Sequence, residues 1–346
     1  MSAVGQNLRQ TKSNRPGSLA MKTVTIISSV LLAVFIVNPA RSQQANYPIK
    51  VVHWIAATAA GSPSDVMVRK FADAVQPKLG ATIIVENKPG ASGAIGSKAV
   101  ATASPDGYTL LVGLVDPLIS SVALMKSPPY DPTKDFRFVT KLISGGAVLL
   151  ASKDFKPSNL KELIEAGRTT TEPINYGTIG PVSFTHYVME AFAQQTGAKL
   201  KAIHYRSNPQ AMQGLIGNEI SLFIGAPAHA ASMITDGRIK ALAVFGNSRA
   251  APLPNVPTFA EAGTDGFVFR TVVNFGMFAP AKTPDAVINK LVAAVKAAAA
   301  EPELQKFVAE VGFELVANSP AEFEQEFRTE HREITQLIRD LGISAE

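Results

Sequence analysis

Short runs of apolar and β-branched residues alternate along this chain with stretches of helical period. The runs Lys50–Ala56, Thr82–Glu86, Thr109–Leu114, Ala147–Ser152, Ser221–Gly225, Ala241–Phe245 and Asn274–Ala279 have the length and composition of strands. Helix starts stand between them. Ser62-Pro63-Ser64-Asp65 places Ser at the N-cap, Pro in the first turn and an acid at the third position. Asn208-Pro209, Thr283-Pro284 and Ser319-Pro320-Ala321-Glu322 repeat that grammar, and Gly80, Gly197, Gly237 and Gly342 supply the stops. Strand–helix alternation of this kind predicts parallel βαβ units and an α/β fold. In the last third, Thr283–Ala300 is an Ala-rich helix. Pro320–Leu341 is amphipathic, with Phe323, Phe327, Ile334, Leu337 and Ile338 on one stripe that should lie across a domain surface as core.

The first 42 residues do not share this texture. They carry Arg9, Lys12, Arg15, Lys22 and Arg41 and no acid, with the uncharged run Val24–Val37 before Asn-Pro-Ala-Arg-Ser. A basic flank, a short apolar run and small residues at Ala40 and Ser42 predict a secretory signal peptide over 1–42. The run is short of the ~20 residues that a permanent membrane anchor needs. Met21 is an alternative start.

The leader changes the meaning of the charge. The chain has 346 residues, 33 basic and 28 acidic side chains and a net charge of +5. All five excess positive charges lie in the leader, so the remainder is neutral. Its Lys and Arg are scattered, which excludes a nucleic-acid footprint. The absence of cysteine excludes disulfides, a thiolate nucleophile, thiolate metal sites and a lipid-modified N-terminal Cys. A chain of this length divides into about two domains.

Two strand-to-helix loops of small residues are the candidate chemistry: Ala56–Asp65 (AATAAGSPSD) and Tyr176–His186 (YGTIGPVSFTH). Such loops leave backbone N–H groups at the positive end of a helix dipole, a site for an anionic group worth ~0.3–1 kcal/mol per exposed contact. Small residues let a ligand approach the backbone. A third segment, Asn87–Lys98 (NKPGASGAIGSK), has neither phosphate-loop spacing nor G-x-G-x-x-G, and reads as a turn into a helix. The five His residues have no metal-ligand spacing, and no G-x-S-x-G elbow exists. No metal or cofactor is expected. Ser183 and His186 suit capping or ligand contact better than acyl transfer, and Asp65 reads as an N-terminal helix acid. The site looks built to hold rather than to convert.

At this point the chain resembles the periplasmic receptors of tripartite tricarboxylate transporters, the Bug family. The resemblance covers Tyr47 to Glu346. It rests on Tyr47-Pro48, Gly61–Asp65, Val85–Gly93, Pro105–Leu110, Tyr130-Asp131-Pro132, the Tyr176–His186 loop, His204-Tyr205-Arg206, Gly237–Ala243, Leu253–Gly263 and Phe278-Ala279-Pro280. It implies a type II periplasmic-binding-protein clamshell, each lobe a β-sheet flanked by helices, with lobe 1 from 43–143 plus 270–346 and lobe 2 from 144–269. It further implies a monomeric, non-enzymatic periplasmic receptor that captures a small carboxylate, a di- or tricarboxylate or an aromatic acid, for membrane permease subunits. The expected ligand-binding residues are Thr58, Ala59, Ala60, Ser62, Ser64, Asp65, Thr178, Ile179, Gly180, Ser183, His186, Arg206, Gly225 and Asn274. Arg206 is the candidate for a distal carboxylate.

Departures from the family pattern bear on the ligand. Thr58, Ala60 and Ser62 replace a usual Phe, Pro and Gly, and Pro181-Val182 removes one N–H donor from the second loop. Gly225 stands where amino-acid-binding members tend to place Asp, which disfavours an α-amino acid. Asn274 replaces a frequent Trp. Two other readings remain: an exported hydrolase or transferase using Ser183 and His186, and a ligand sensor for a membrane signalling protein.

Overall fold

The computed structural model describes residues 47–123, 125, 127–180, 183–270 and 272–343. The leader 1–42 and the pair Pro181-Val182 lie outside the described residues. Among the described residues, eleven strands form two mixed sheets. The first contains β1 (Val52–Ala56), β2 (Ile83–Asn87), β3 (Thr109–Leu114), β4 (Phe136–Gly145), β10 (Val273–Pro280) and β11 (Phe313–Leu315), in the order β11-β4-β10-β3-β1-β2. The second contains β5 (Val148–Ser152), β6 (Ile174–Thr178), β7 (Leu200–His204), β8 (Leu222–Gly225) and β9 (Ile239–Val244), in the order β7-β6-β8-β5-β9.

All seven strand runs read from the sequence are strands. The expectation of parallel pairing holds only in part. β1 pairs parallel with β2 and β3, and β6 with β7 and β8. By contrast β10 is antiparallel to both β3 and β4, and β5 to both β8 and β9. The reason is topological: β4 runs through Gly146-Ala147 straight into the other sheet as β5, and β10 returns the chain from it. Neither strand is the product of a local βαβ unit.

The helices are α1 (Pro63–Leu79), α2 (Ala94–Ala101), α3 (Asp116–Ala123), α4 (Leu160–Thr169), α5 (Phe184–Thr196), α6 (Asn208–Ile216), α7 (Pro227–Thr235), α8 (Phe267–Arg270), α9 (Asp285–Ala299), α10 (Pro302–Glu310) and α11 (Pro320–Asp340). Ser319 and Glu322 close a full capping box at the start of α11. Gly80 and Gly197 cap α1 and α5 in the left-handed region. The Asn208 and Thr283 starts are displaced by one: Ser207 caps α6 and Pro284 caps α9.

β5 shows how the core divides. Its alternate residues Leu149 and Ala151 join a cluster that runs from Ile55 and Leu111 of the first sheet to Tyr176 and Leu222 of the second, while Val148 and Leu150 face a second cluster with Leu215, Phe223 and Val244. On the first sheet, α11 lays Phe323 and Phe327 onto Phe138 and Phe278, with ring centroids 4.9–5.9 Å apart. Each such ring contributes ~2–3 kcal/mol by burial. α11 is therefore core on one stripe, as its period predicts. No helix among the described residues is long and apolar enough to cross a membrane.

Candidate functional site

Residues 57–62 join β1 to α1, and their shape is set from behind by Asp65. Its buried carboxylate accepts from the Gly61 N–H at 2.9 Å, Arg69 Nε at 3.0 Å and Asn87 Nδ2 at 2.8 Å. Asn87 Nδ2 also reaches the Thr58 carbonyl at 3.1 Å, and Arg69 donates to Asn87 Oδ1 at 2.8 Å. Burial pushes the Asp65 carboxyl up, but the Arg69, Asn87 and Gly61 hydrogen bonds outweigh it and hold the group below its ordinary value. Ser62 Oγ caps the Asp65 N–H at 3.2 Å. Asp65 was expected at the ligand; its carboxylate is turned into the loop instead, and it also occupies the Gly61 N–H. The reason is that a buried carboxylate needs donors, and Arg69 and Asn87 supply them.

Two hydroxyls of this loop are different. Thr58 Oγ1 and Ser64 Oγ are buried and have no hydrogen-bond partner among the described residues. Groups of this kind are costly unless something else bonds them. Ala59 and Ala60 are exposed beside them. The Asn87–Lys98 segment packs against the same loop, since a Cβ at Gly96 would stand 2.9 Å from the Ala57 Cβ and 2.8 Å from the Lys88 carbonyl. That segment is a turn into a helix, as read, and also the floor under Ala57.

The second loop is tied by three hydroxyls. Ser183 Oγ donates to the Gly180 carbonyl at 2.8 Å and lies 2.7 Å from Thr178 Oγ1 and 2.9 Å from Thr185 Oγ1. Thr185 Oγ1 is 3.1 Å from Thr178 Oγ1 and accepts the Ile179 N–H at 3.4 Å. Gly180, at φ 123°, makes a turn that a side chain would strain. His186 packs among aromatic neighbours. Its ring stacks on Tyr176 and meets His204 edge-on at 5.3 Å, with Nε2 3.8 Å from Glu190, which also accepts from Tyr176 Oη. Burial and then the neighbouring His186 hold His204 below its ordinary value. Ile179 is 40% exposed and presents an apolar tip.

A chain of contacts joins the two loops. Ala57 and Pro117 both lie near Gly93, so α3 starts beside the first loop. Its first residue, Asp116, accepts from Tyr187 Oη at 2.6 Å, and Tyr187 lies one turn into α5 from Ser183. Burial raises the Asp116 carboxyl to about 6, against the Tyr187 and Ser120 hydrogen bonds.

The remaining expected residues are dispersed. Arg206 is exposed and makes no ion pair among the described residues; only its N–H is held, by Gln210 Oε1. At Gly225 a Cβ would stand 2.9 Å from Leu150 Cδ1 and 3.4 Å from Met212 Cε, so a side chain there would require the Leu150 tip to shift. Asn274 is bound at both ends, accepting from Ser144 Oγ at 2.9 Å and donating to Glu330 at 3.4 Å. It braces β4 against α11. Sequence reasoning did not single out Arg69, Asn87, Thr185, Asp116 or Tyr187. Asp116-Pro117 repeats the strand-to-helix grammar and was findable; Tyr187 is an ordinary aromatic until the fold brings it to Asp116. No group of three or more His, Cys, Asp or Glu suited to a metal occurs among the described residues.

Two helix-flanked sheets, crossed twice by the chain and carrying strand-to-helix loops at one junction, define a periplasmic binding protein of the type II class. Residues 67–343 match the family described as the tripartite tricarboxylate transporter family receptor, and the chain belongs to that family. Solved structures agree. The periplasmic binding protein BugD is 31% identical, with a TM-score of 0.73 over 86% of this chain and 99% of that one. MatC from Rhodopseudomonas palustris, solved with bound malate, is 27% identical, with a TM-score of 0.72 over 84% and 100%. R. palustris Rpa4515, solved with adipate, is 25% identical, with a TM-score of 0.75 over 86% and 99%.

Proposed function

We propose that this protein is a periplasmic receptor that captures a small organic carboxylate between two lobes and delivers it to membrane permease subunits. The lobes are 43–143 plus 270–346 and 144–269, moving about the Gly145–Ala147 and 245–272 crossings. The leader 1–42 directs export and is removed, and the receptor works as a monomer. The observation that carries the reading is the pair of buried, unpartnered hydroxyls, Thr58 Oγ1 and Ser64 Oγ, beside the N-terminus of a long helix. Hydroxyl donors at a helix N-terminus match a carboxylate's lone pairs. The second loop contributes the Gly180 turn and the apolar tip of Ile179, and Arg206 offers a guanidinium free of ion pairs among the described residues for a distal carboxylate. The malate and adipate held by MatC and Rpa4515 support a dicarboxylate. Closure follows from a ligand that touches both lobes more favourably than either alone.

The test is calorimetry with a panel of di-, tri- and aromatic carboxylates. The expected result is one ligand per chain at a micromolar dissociation constant, about −8 kcal/mol. Thr58→Val and Ser64→Ala should each weaken binding about tenfold or more, without loss of thermal stability, because they delete hydroxyls that nothing in the chain satisfies. No binding by any class, or a variant that loses stability and keeps affinity, refutes the reading. The hydrolase alternative loses its ground at Ser183, whose hydroxyl is engaged by the Gly180 carbonyl and two threonines.

A further inference from the structure

Away from both ligand loops, one turn of the first sheet's layer reaches the second layer. In the first sheet β11 and β1 lie on opposite sides of the crossing strands β4 and β10. β1 carries the first loop, so the turn Gly312–Glu314 at the start of β11 stands on the far side of the crossings from it. In the second sheet β6, which carries the second loop, and β9, which leads to Pro252, flank β5 in the same way. The turn is fixed to its own sheet. β11 pairs with the end of β4, Phe313 opposite Gly145, and the Phe313 ring meets Phe275 edge-on at 5.9 Å. Gly312, at φ 85°, faces the other layer: a Cβ there would stand 3.5 Å from Pro252 Cγ, 3.6 Å from the Ala228 nitrogen and 3.7 Å from Pro227 Cβ. Those neighbours are fixed as well. Pro252 lies between Ala250 and Leu253, both buried in the second sheet's cluster, and Pro227 is buried at the start of α7. Between the turn and the crossings runs a crevice of about 180 Å³, lined by Gly145 and Gly146 of one crossing, Ser248 and Ala251 of the other, and Phe313.

From this arrangement we infer that the Gly312–Glu314 turn is a hinge-side stop, which positions the lobes and sets the receptor's affinity without touching the ligand. The inference rests on the two-lobed reading above. It goes beyond that reading by giving residues outside the cleft a part in binding.

Two bodies joined at the crossings act as a lever. A rotation that brings the two loops together separates the surfaces on the far side, and a rotation that opens the cleft presses the turn onto Pro252 and the start of α7. Backbone and proline rings have no side-chain rotamers to swing aside, so the contact is stiff. The bulk held in the crevice therefore limits how far the cleft opens, and a glycine at 312 leaves that limit wide. Added bulk keeps more of the ligand-free protein closed. The apparent dissociation constant is the intrinsic one divided by the competent fraction, so affinity rises as that fraction rises.

Two variants add bulk from opposite sides. Gly312→Asn fills the gap with a residue that tolerates the left-handed region, and Ser248→Trp fills the crevice from an exposed position. Gly80→Asn is the control, since Gly80 has φ 75° and nothing within 4 Å: the backbone strain is similar and no lobe contact is made. The absence of native cysteine lets Lys98→Cys on α2 and Lys201→Cys on β7, both exposed and on the loop side of the crossings, take a spin-label pair. In ligand-free protein Gly312→Asn and Ser248→Trp should both shift the label distance to shorter values, and Gly80→Asn should not. Calorimetry with the carboxylate that the panel identifies should show both variants binding about threefold tighter or more, with Gly312→Asn melting no higher than the wild type. A merely structural turn gives the opposite result, lower stability with equal or weaker binding. Unchanged distances in the folded variants, or weaker binding in either, overturn the stop. Ser248→Trp carries the test alone if Gly312→Asn does not fold. The distance needs no ligand, so a panel in which no carboxylate binds refutes the ligand reading and leaves this readout intact.

Discussion

Replacing Asp65 with Ala tests whether the first loop is built from behind, as its hydrogen bonds indicate. The carboxylate receives three donors, from Gly61, Arg69 and Asn87. Bonds to a charged acceptor contribute ~1.5–3 kcal/mol each when the site is buried. The Arg69 side chain is 46% exposed, so its share is nearer that of a surface pair, at most ~1 kcal/mol. Asn87 keeps the Thr58 carbonyl and Arg69 as partners, which softens its loss. The three together come to about 3 kcal/mol. For a chain of this size that lowers Tm by ~6 °C, at about 2 °C per kcal/mol. The dependence on pH has a fixed sign. The folded carboxyl is held below its ordinary value of 3.8, so its contribution is complete above that value and is lost as pH falls through the depressed one. Calorimetric melts of both proteins should differ by a constant amount from pH 8 to 5, and the gap should narrow below pH 4. A difference under ~1 °C at pH 7 refutes the reasoning, as does a gap that persists unchanged in acid. Affinity for the carboxylate that the calorimetric panel identifies should fall alongside, since Thr58 and Gly61 lose their common anchor.

Three other outcomes follow from the packing and the charges. Gly276→Ala drives a Cβ into Phe323 and to 2.9 Å from Phe278 Cε2, and should cost ~2–3 kcal/mol, read as a lower midpoint in urea. Ser183→Ala should cost ~1–2 kcal/mol by leaving Thr178 and Thr185 short of a partner, and ester turnover should be absent in both proteins. Glu330 is raised in the folded state from 4.5 to about 8. Its contribution is therefore complete below pH 4.5 and is lost progressively as pH rises to about 8, so Glu330→Gln should flatten the fall of Tm between those two values.

The strands with β-branched runs and the helices with written caps were legible in the sequence, because the residues that make them are local. β4, β6, β7 and β11 were not singled out. β6 reads INYGT and β7 reads LKAIH, too polar to declare a strand until neighbours pair with them. The antiparallel members of each sheet escaped for a related reason: nothing near residues 136–145 says that their partner lies at 273–280. Within the site, both loops were legible from their small residues and capped helices. The role of Asp65 was not, since its carboxylate answers to Asn87, 22 positions away. Tyr187 and Glu330 gave no local sign at all, because their partners Asp116 and Asn274 lie on elements far away in the sequence.

The place of β10 in the first sheet bears on how the chain matures. It lies between β3 and β4, so until residues 273–280 arrive the sheet exists as two pieces with no shared edge. Residues 136–145 meet their partner across more than 120 intervening positions, and the loop-closure cost of that encounter slows assembly. In a chain emerging from its N-terminus the first sheet therefore stays incomplete until the last quarter is available. Under the export proposed above, late completion of the first sheet keeps the chain in a form that can still be threaded through a membrane. A fragment ending at residue 270 should accordingly show no cooperative unfolding of the first sheet.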